Sequence, residues 1–264
     1  MKLSIIIPAH NEEKRIGRTL NEYCKFLRNR KQDFEILVVL NACRDNTLSV
    51  VKKYKKKFKE ISFLNFKQGG KGFAIIEGFK DALKRNNDLI GFADADMATP
   101  PMSFYELIEN INNYDGIIAS RYVKGSIVKP KQPFIRILAS RVFNILVRSL
   151  FLFNYRDTQC GGKLFKRRVI EDVIDKFSIS QWAFDIDLLY NVNKSRFRIK
   201  EFPIFWRDVG GSKINLKKAS IQMFLSVIQL RILNSKLEKG LKFFVKNIGH
   251  ISANRYIFGR SFKN

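Results

Sequence analysis

Along the first half of the chain, apolar runs too short for helices alternate with stretches whose apolar residues return every three or four positions. Leu3-Ser4-Ile5-Ile6-Ile7-Pro8 reads as a fully buried strand stopped by Pro8, which has no amide to give a ladder. A polar loop, Ala9 to Glu13, leads into helical spacing at Ile16, Leu20, Tyr23 and Leu27. Phe34 to Leu40 is a second buried strand, closed by Asn41 to Thr47 and a helix whose lysines, Lys52 to Lys59, read as a solvated face. Ile61 to Asn65 is a third strand, and Gln68-Gly69-Gly70-Lys71-Gly72 opens another helix. Leu89 to Asp96 is a fourth strand; a helix from about Ser103 precedes a fifth, Gly116 to Ser120. This alternation predicts an α/β fold with a mainly parallel sheet covered by helices on both faces.

The pattern changes after Pro133. Phe134 to Phe153 reads as a helix with Ile135, Leu138, Val142, Ile145 and Leu146 on a broad apolar stripe, interrupted by Arg136, Arg141 and Arg148. Two readings stand: a basic amphipathic helix lying in a membrane interface, or a surface helix packed on its own sheet. A strand pair broken at Pro203 follows, then a donor-rich loop from Trp206 to Lys213. Lys217 to Leu233 is again amphipathic, with Ile221, Phe224, Leu225, Ile228 and Ile232 on one side. The expected organisation is a catalytic domain over 1–215 and a C-terminal amphipathic helical extension over 216–264. No stretch reaches the roughly 18 consecutive apolar residues of a spanning helix, so a membrane would be met from the side. The strand pattern at the N-terminus predicts no cleaved signal peptide.

In 264 residues, Lys+Arg 49 against Asp+Glu 24 leaves a net charge of +25. Such a field favours nucleic acid, nucleotide phosphates or an anionic membrane surface, although a chain rich in Lys and Asn can also reflect genome composition. The aromatics fall in buried positions rather than among the basic runs, so no nucleic acid is expected as partner. Three scattered cysteines suit reduced thiols in a reducing compartment, and two histidines exclude a multi-histidine zinc site.

Asp94 and Asp96 carry the candidate chemistry. Two residues apart on a strand, they face one volume at the carboxyl end of a sheet, where open α/β folds place ligands. Their mutual repulsion calls for a cation, and Mg2+ or Mn2+ bound through carboxylates and substrate phosphates fits; a strand end capped by two solvated aspartates is the competing reading. The glycine loop around Lys71 is phosphate-friendly but matches neither common nucleotide fingerprint, and none follows the first strand, which disfavours a dinucleotide-dependent oxidoreductase.

Pro8-Ala9-His10-Asn11-Glu12, Asp45 to Thr47, Asp94-Ala95-Asp96, Ser120-Arg121-Tyr122 and Gly211-Ser212-Lys213 resemble, in order, the inverting family 2 glycosyltransferases of the GT-A fold. Asp157-Thr158-Gln159-Cys160-Gly161, Lys163-Leu164-Phe165, Trp182-Ala183-Phe184-Asp185 and Ala98-Thr99 are similar to the dolichyl-phosphate β-glucosyltransferase branch. The resemblance implies that Pro8, His10, Glu12, Val39 and Asn41 hold the donor's base and ribose. It makes Asp94, Ala95 and Asp96 the metal-diphosphate clamp. Arg121, Arg207 and Lys213 then contact donor or acceptor phosphates, while Arg136 and Ser140, with Arg121, surround the acceptor phosphate; Lys71, from the glycine loop, is counted with the donor-binding residues. Arg141 and Arg148 lie on another face of their helix and are expected to stay outside the site, against headgroups or solvent.

Asp185 matches the catalytic base of hydroxyl-glycosylating relatives; here it is expected to orient the sugar or an arginine. His10 replaces the family's usual tyrosine, and Leu40-Asn41 its usual pair of aspartates. Ala98 stands where mannosyl-transferring relatives often keep a glutamine, which shifts the expectation from GDP-mannose to glucose or an N-acetylhexosamine from a UDP-sugar. The implied reaction is inverting transfer to a polyprenyl or dolichyl phosphate at the cytoplasmic face of a membrane, by a peripheral protein. The alternatives are a GDP-mannose-dependent dolichyl-phosphate mannosyltransferase and a family 2 enzyme acting on a saccharide hydroxyl.

Overall fold

Buried β-branched and leucine runs with no polar face are stable only where both faces of a sheet are covered, and the first five runs form such a sheet. They are β1 (Leu3–Ala9), β2 (Phe34–Asn41), β3 (Ile61–Phe66), β4 (Leu89–Phe92) and β5 (Gly116–Ser120). Between them run α1 (Ile16–Asn29), α2 (Thr47–Lys57), α3 (Lys71–Leu83) and α4 (Pro101–Asn110). The computed structural model describes residues 1–130, 133–178, 183–207 and 216–235, the backbone alone over 216–221. The expectations at Trp182, Gly211, Ser212, Lys213 and beyond 235 lie outside the described residues.

The chain continues through β6 (Ile127–Lys129), α5 (Phe134–Phe151), β7 (Lys163–Lys166), α6 (Arg167–Val173), α7 (Phe184–Lys194), β8 (Ile199–Pro203), β9 (Phe205–Arg207) and α8 (Leu216–Leu233). The main sheet has the order β3-β2-β1-β4-β7-β5-β8, and β6 pairs with β9 in a separate two-stranded sheet. Every pairing in the main sheet is parallel except those of β7, which runs antiparallel between β4 and β5. One apolar cluster packs α1, α2 and α4 on one face; the other packs α3, α6 and α7 on the opposite face, with Val147 of α5 and Val227 and Leu230 of α8. Ile16, Leu20, Tyr23 and Leu27 are all buried, as their spacing predicts.

Four expectations are corrected. Pro8 does not end β1, which continues to Ala9 with Pro8 opposite Val39. The carbonyl of Ile6 points toward β4, where it accepts the Ala93 amide, so Pro8 two residues on faces the same side. β4 has already ended there, and the missing amide costs no ladder bond. β4 itself stops at Phe92, so Asp94 and Asp96 lie in the turn after the strand rather than on it.

The third and fourth corrections concern α5 and α8. The stripe on α5 does not pack on the sheet: Ile135, Leu138, Val142 and Ile145 are between 52% and 80% exposed, whereas Asn144, Val147 and Phe151 face inward. Among the described side chains of α8, Val227 and Leu230 are buried, while Phe224 and Leu225 of the predicted stripe face outward. No helix among the described residues is long and apolar enough to cross a membrane.

Candidate active site

The carboxyl ends of β1, β2 and β4 meet where strand order reverses, β2 and β3 lying to one side of β1 and β4 to the other. Such a switch point opens a crevice between diverging loops. The loops after β1 and β2 latch each other: Thr47 Oγ1 accepts the Glu12 amide at 2.8 Å, and a Glu13 carboxylate oxygen accepts the Asn46 amide at 2.9 Å. Asp45 accepts the amides of Glu13 and Thr47, which closes the turn before α2.

The turn carrying Asp94 and Asp96 is pinned from behind by buried hydroxyls of α1. Thr19 donates to the carbonyl of Ala95 at 2.6 Å, and Tyr23 to that of Thr99 at 2.7 Å. Met97 takes a left-handed φ of 66°, and the Ala98 amide returns to Asp96 Oδ1 at 3.0 Å. Burial, then the charge of Asp94, push the Asp96 carboxyl above its ordinary range despite the Ala98 amide, Arg15 and Lys71. The two acids thus converge through the turn, not through strand pleating.

Gly161 closes the space behind Asp94. A Cβ built there would sit 1.9 Å from Asp94 Oδ2, so the carboxylate occupies the volume that any side chain would need. Burial pushes the neighbouring Cys160 thiol up to about 12, which leaves it a neutral core group.

Charges alternate across the crevice. Lys71 Nζ lies 2.7 Å from Asp94 Oδ1, and Arg15 Nη1 lies 3.9 Å from Asp96 Oδ2 while its other nitrogens hold Glu12 at 2.5 and 2.7 Å. Burial opposes the charge of Lys71, but Asp94, Asp185 and Asp96 outweigh it and keep the ammonium protonated. Asp185, in the first turn of α7, lies 2.5 Å from the ammonium of fully buried Lys163, which also donates to the Cys160 carbonyl at 2.9 Å. Asp185 therefore orients a lysine, not an arginine.

Other predicted residues differ in their access to open space. Val39 and Pro8 are buried in the sheet, and Asn41, 3% exposed, joins the Ala9 carbonyl to the Gly70 amide through its side chain. Asn41 is thus a brace between loops rather than an exposed reader of a base. His10 is exposed; its Nδ1 donates to the Asn41 carbonyl at 2.7 Å, which leaves Nε2 as the acceptor, 3.3 Å from Asn11 Nδ2.

Arg121 engages Asp157 with Nε and Nη2 at 2.7 and 2.8 Å, stacked between the rings of Tyr122 and Trp206. Burial opposes its charge and that of Asp157, yet their attraction keeps both ionised. Tyr122 donates to Ser140 of α5 at 2.9 Å, and Arg141 covers the Tyr122 ring at 4.9 Å, so Arg141 packs against this knot rather than standing apart from it. Arg136, one turn before Ser140, is half-buried. The Arg207 amide donates to the Ala98 carbonyl at 2.9 Å, so β9 backs the acidic turn.

The profile described as glycosyl transferase family 2 matches residues 4–174. The chain belongs to glycosyl transferase family 2. It is 32% identical over 244 residues to a dolichyl-phosphate beta-glucosyltransferase of Dictyostelium discoideum, covering 87% of this chain and 73% of that one. The human protein of the same name is 31% identical over 248 residues, covering 88% and 75%. Among solved structures, glucosyl-3-phosphoglycerate synthase of Mycobacterium tuberculosis with Mn2+, uridine diphosphate and phosphoglyceric acid superposes at TM-score 0.65, 14% identity, over 89% of this chain and 80% of that one. A mannosyltransferase of Pyrobaculum calidifontis with GDP-Man and Mn2+ superposes at 0.59, 15% identity, over 89% and 65%. The fold is that of the GT-A glycosyltransferases.

In this glycosyltransferase the acidic pair is what a divalent ion could use. Among the described residues no group of three or more His, Cys, Asp or Glu side chains gathers to hold a metal. Two carboxylates alone suit an oxygen-seeking ion that completes its shell with phosphates and water. Arg15, Thr19 and Tyr23 build the site without a role expected from the sequence, and Asp157 and Lys163 stand out there only as motif residues with no assigned role. Glu12 and Arg15 at i, i+3 were the one local signal; the rest are joined only by the fold.

The elevated Asp96 carboxyl has a sign that can be tested. The folded chain holds this proton more tightly than the unfolded one, so stability falls as pH rises from the ordinary aspartate range through the folded value and stays lower above it. Asp96→Asn keeps an acceptor for the Ala98 amide and is expected to raise the melting temperature of metal-free, nucleotide-free protein at pH 7 by about 2 °C or more. The gain should vanish below the aspartate range. A melt in chelator showing no gain at pH 7 contradicts this electrostatic picture.

Proposed function

We propose that the chain transfers a hexose, glucose foremost, from a UDP-sugar to the phosphate of a dolichyl or other polyprenyl phosphate, with inversion. The observation that carries this reading is the roughly 30% identity, over most of the chain, to proteins named dolichyl-phosphate beta-glucosyltransferase. Support for a uridine donor comes from Ala98 in place of a glutamine and from the solved relative holding uridine diphosphate.

Asp94 and Asp96 would hold Mg2+ or Mn2+ against the donor diphosphate. When bound, the ion supplies neutralisation of charge developing on the leaving group. A lipid monophosphate, with a second pKa near about 6, is mostly dianionic at neutral pH and attacks without a strong base. That fits Asp185, whose carboxylate is committed to Lys163. The chain's task is to bring two polyanions together, which falls to Lys71, Arg207, Arg136 and Lys213. Arg121, already paired, positions Tyr122 and through it Ser140. His10 and Glu12 line the base and ribose end.

Purified protein with Mn2+ is to be offered UDP-glucose, UDP-N-acetylglucosamine or GDP-mannose, each with a short polyprenyl phosphate or free saccharides. Glucosyl transfer to the lipid phosphate with a β linkage is expected. Asp94→Asn and Asp96→Asn should each lose about 10²-fold or more in kcat/KM, and Asp185→Asn less. Transfer to saccharide hydroxyls, or mannose as preferred sugar, overturns the corresponding half of the reading.

Peripheral attachment to the cytoplasmic membrane face is the companion proposal. The outward apolar residues of α5, with Phe224 and Leu225 of α8, support it, because an apolar face flanked by arginines suits an anionic lipid interface. Leu138→Glu with Val142→Glu is expected to abolish binding to anionic liposomes at low salt in a flotation assay. Wild-type protein that stays unbound, or a variant that floats equally well, contradicts it.

A further inference from the structure

Both acids of the crevice already have a resident cation, and the two cations are held differently. Arg15 is clamped by two bonds to Glu12, so it cannot leave when another ligand arrives. Lys71 has one close partner, Asp94 Oδ1 at 2.7 Å, and its side chain is 40% exposed on the first residue of α3. Lys163 cannot move either, being fully buried between Asp185 and the Cys160 carbonyl. Behind Asp94, Gly161 leaves no room for the carboxylate to retreat.

A divalent ion reaching Asp94 from solution must therefore displace the Lys71 ammonium while remaining beside it and beside Arg15. That is unfavourable, because the ion, the ammonium and the guanidinium would then crowd one pair of carboxylates that is only partly exposed. A nucleoside diphosphate changes the balance, because its negative charges give Lys71 a second partner to which a long, flexible side chain can swing.

We propose that Lys71 is the displaceable counter-ion of Asp94 and forces co-entry: the divalent ion binds the free protein poorly and binds firmly only together with a nucleoside diphosphate. This inference rests on the reading of Asp94 and Asp96 as a metal-diphosphate clamp. It assigns Lys71 a part in coupling the two ligands, beyond contact with phosphate.

The test is Mn2+ binding, read from the electron paramagnetic resonance signal of the free ion, without nucleotide and with saturating uridine diphosphate or guanosine diphosphate. Wild type is to be compared with Lys71→Met and Lys71→Gln. In wild type, the better nucleotide should raise Mn2+ affinity about tenfold or more, and Mn2+ should raise nucleotide affinity by the same factor. Both variants should bind Mn2+ to the free protein about tenfold more tightly than wild type, with the gain from nucleotide reduced to a few-fold. If one variant melts far below wild type, the other decides. Variants that bind Mn2+ no more tightly than wild type, while wild type still takes Mn2+ with nucleotide, overturn this inference and leave the donor reading standing. Wild type that binds no Mn2+ with either nucleotide overturns both.

Discussion

Crowding of Asp94 and Asp96 in the turn after β4 is the constraint around which the crevice is built. Burial, and then repulsion from Asp94, raise the Asp96 carboxyl above its ordinary range. The fold holds them there with apolar and neutral groups behind and cations in front. Thr19 and Tyr23 fix the turn's carbonyls, Gly161 leaves the space that the Asp94 carboxylate fills, and Lys71 and Arg15 supply compensating charge. A ligand-free protein arranged in this way stores unfavourable electrostatics that the proposed phosphate-bound cation would relieve. Sites of this type commonly sacrifice stability for chemistry.

The antiparallel strand makes that arrangement possible. Inserted between β4 and β5, β7 delivers Gly161 beside Asp94 and, on its first residue, Lys163 beneath Asp185. The small β6-β9 sheet then backs the acidic turn through Arg207 and Ala98. Arg121, Tyr122 and Ser140 join the end of β5 to α5, the helix whose apolar residues face outward. One continuous set of contacts therefore runs from the crevice to the exposed apolar face. A lipid phosphate delivered along α5 would arrive next to the sugar nucleotide, which is the economy of the proposed reaction.

Strands β1, β2, β3 and β5 and the helix after each of the first three were legible because local periodicity decides them. Errors gathered where tertiary context overrides local pattern. Pro8 stays inside β1 because its neighbour strand has ended; Asp94 and Asp96 converge through a turn with Met97 at positive φ, which no periodicity signals. The stripe on α5 had the right spacing and two open destinations, and it faces outward rather than onto the sheet, since amphipathicity says that a helix has two faces and not which one meets the core. At the site, the acidic pair, His10, Glu12 and Lys71 were visible as residue types in loops. The resemblance implies ligand contacts for Asn41 and Arg121; in the structure their side chains brace the loops and β5. Partners such as Asp157 and Lys163 are set by sheet order, which the chain does not spell out locally.

The most direct test of the central claim is electron-nuclear double resonance on Mn2+ bound to the protein with uridine diphosphate. The account predicts phosphorus couplings from the diphosphate in the wild type, and release of the ion when Asp94→Asn and Asp96→Asn are combined in a protein that still folds. An unchanged bound-Mn2+ spectrum in that double variant would show that the ion sits elsewhere, and the acidic turn would lose its assigned role.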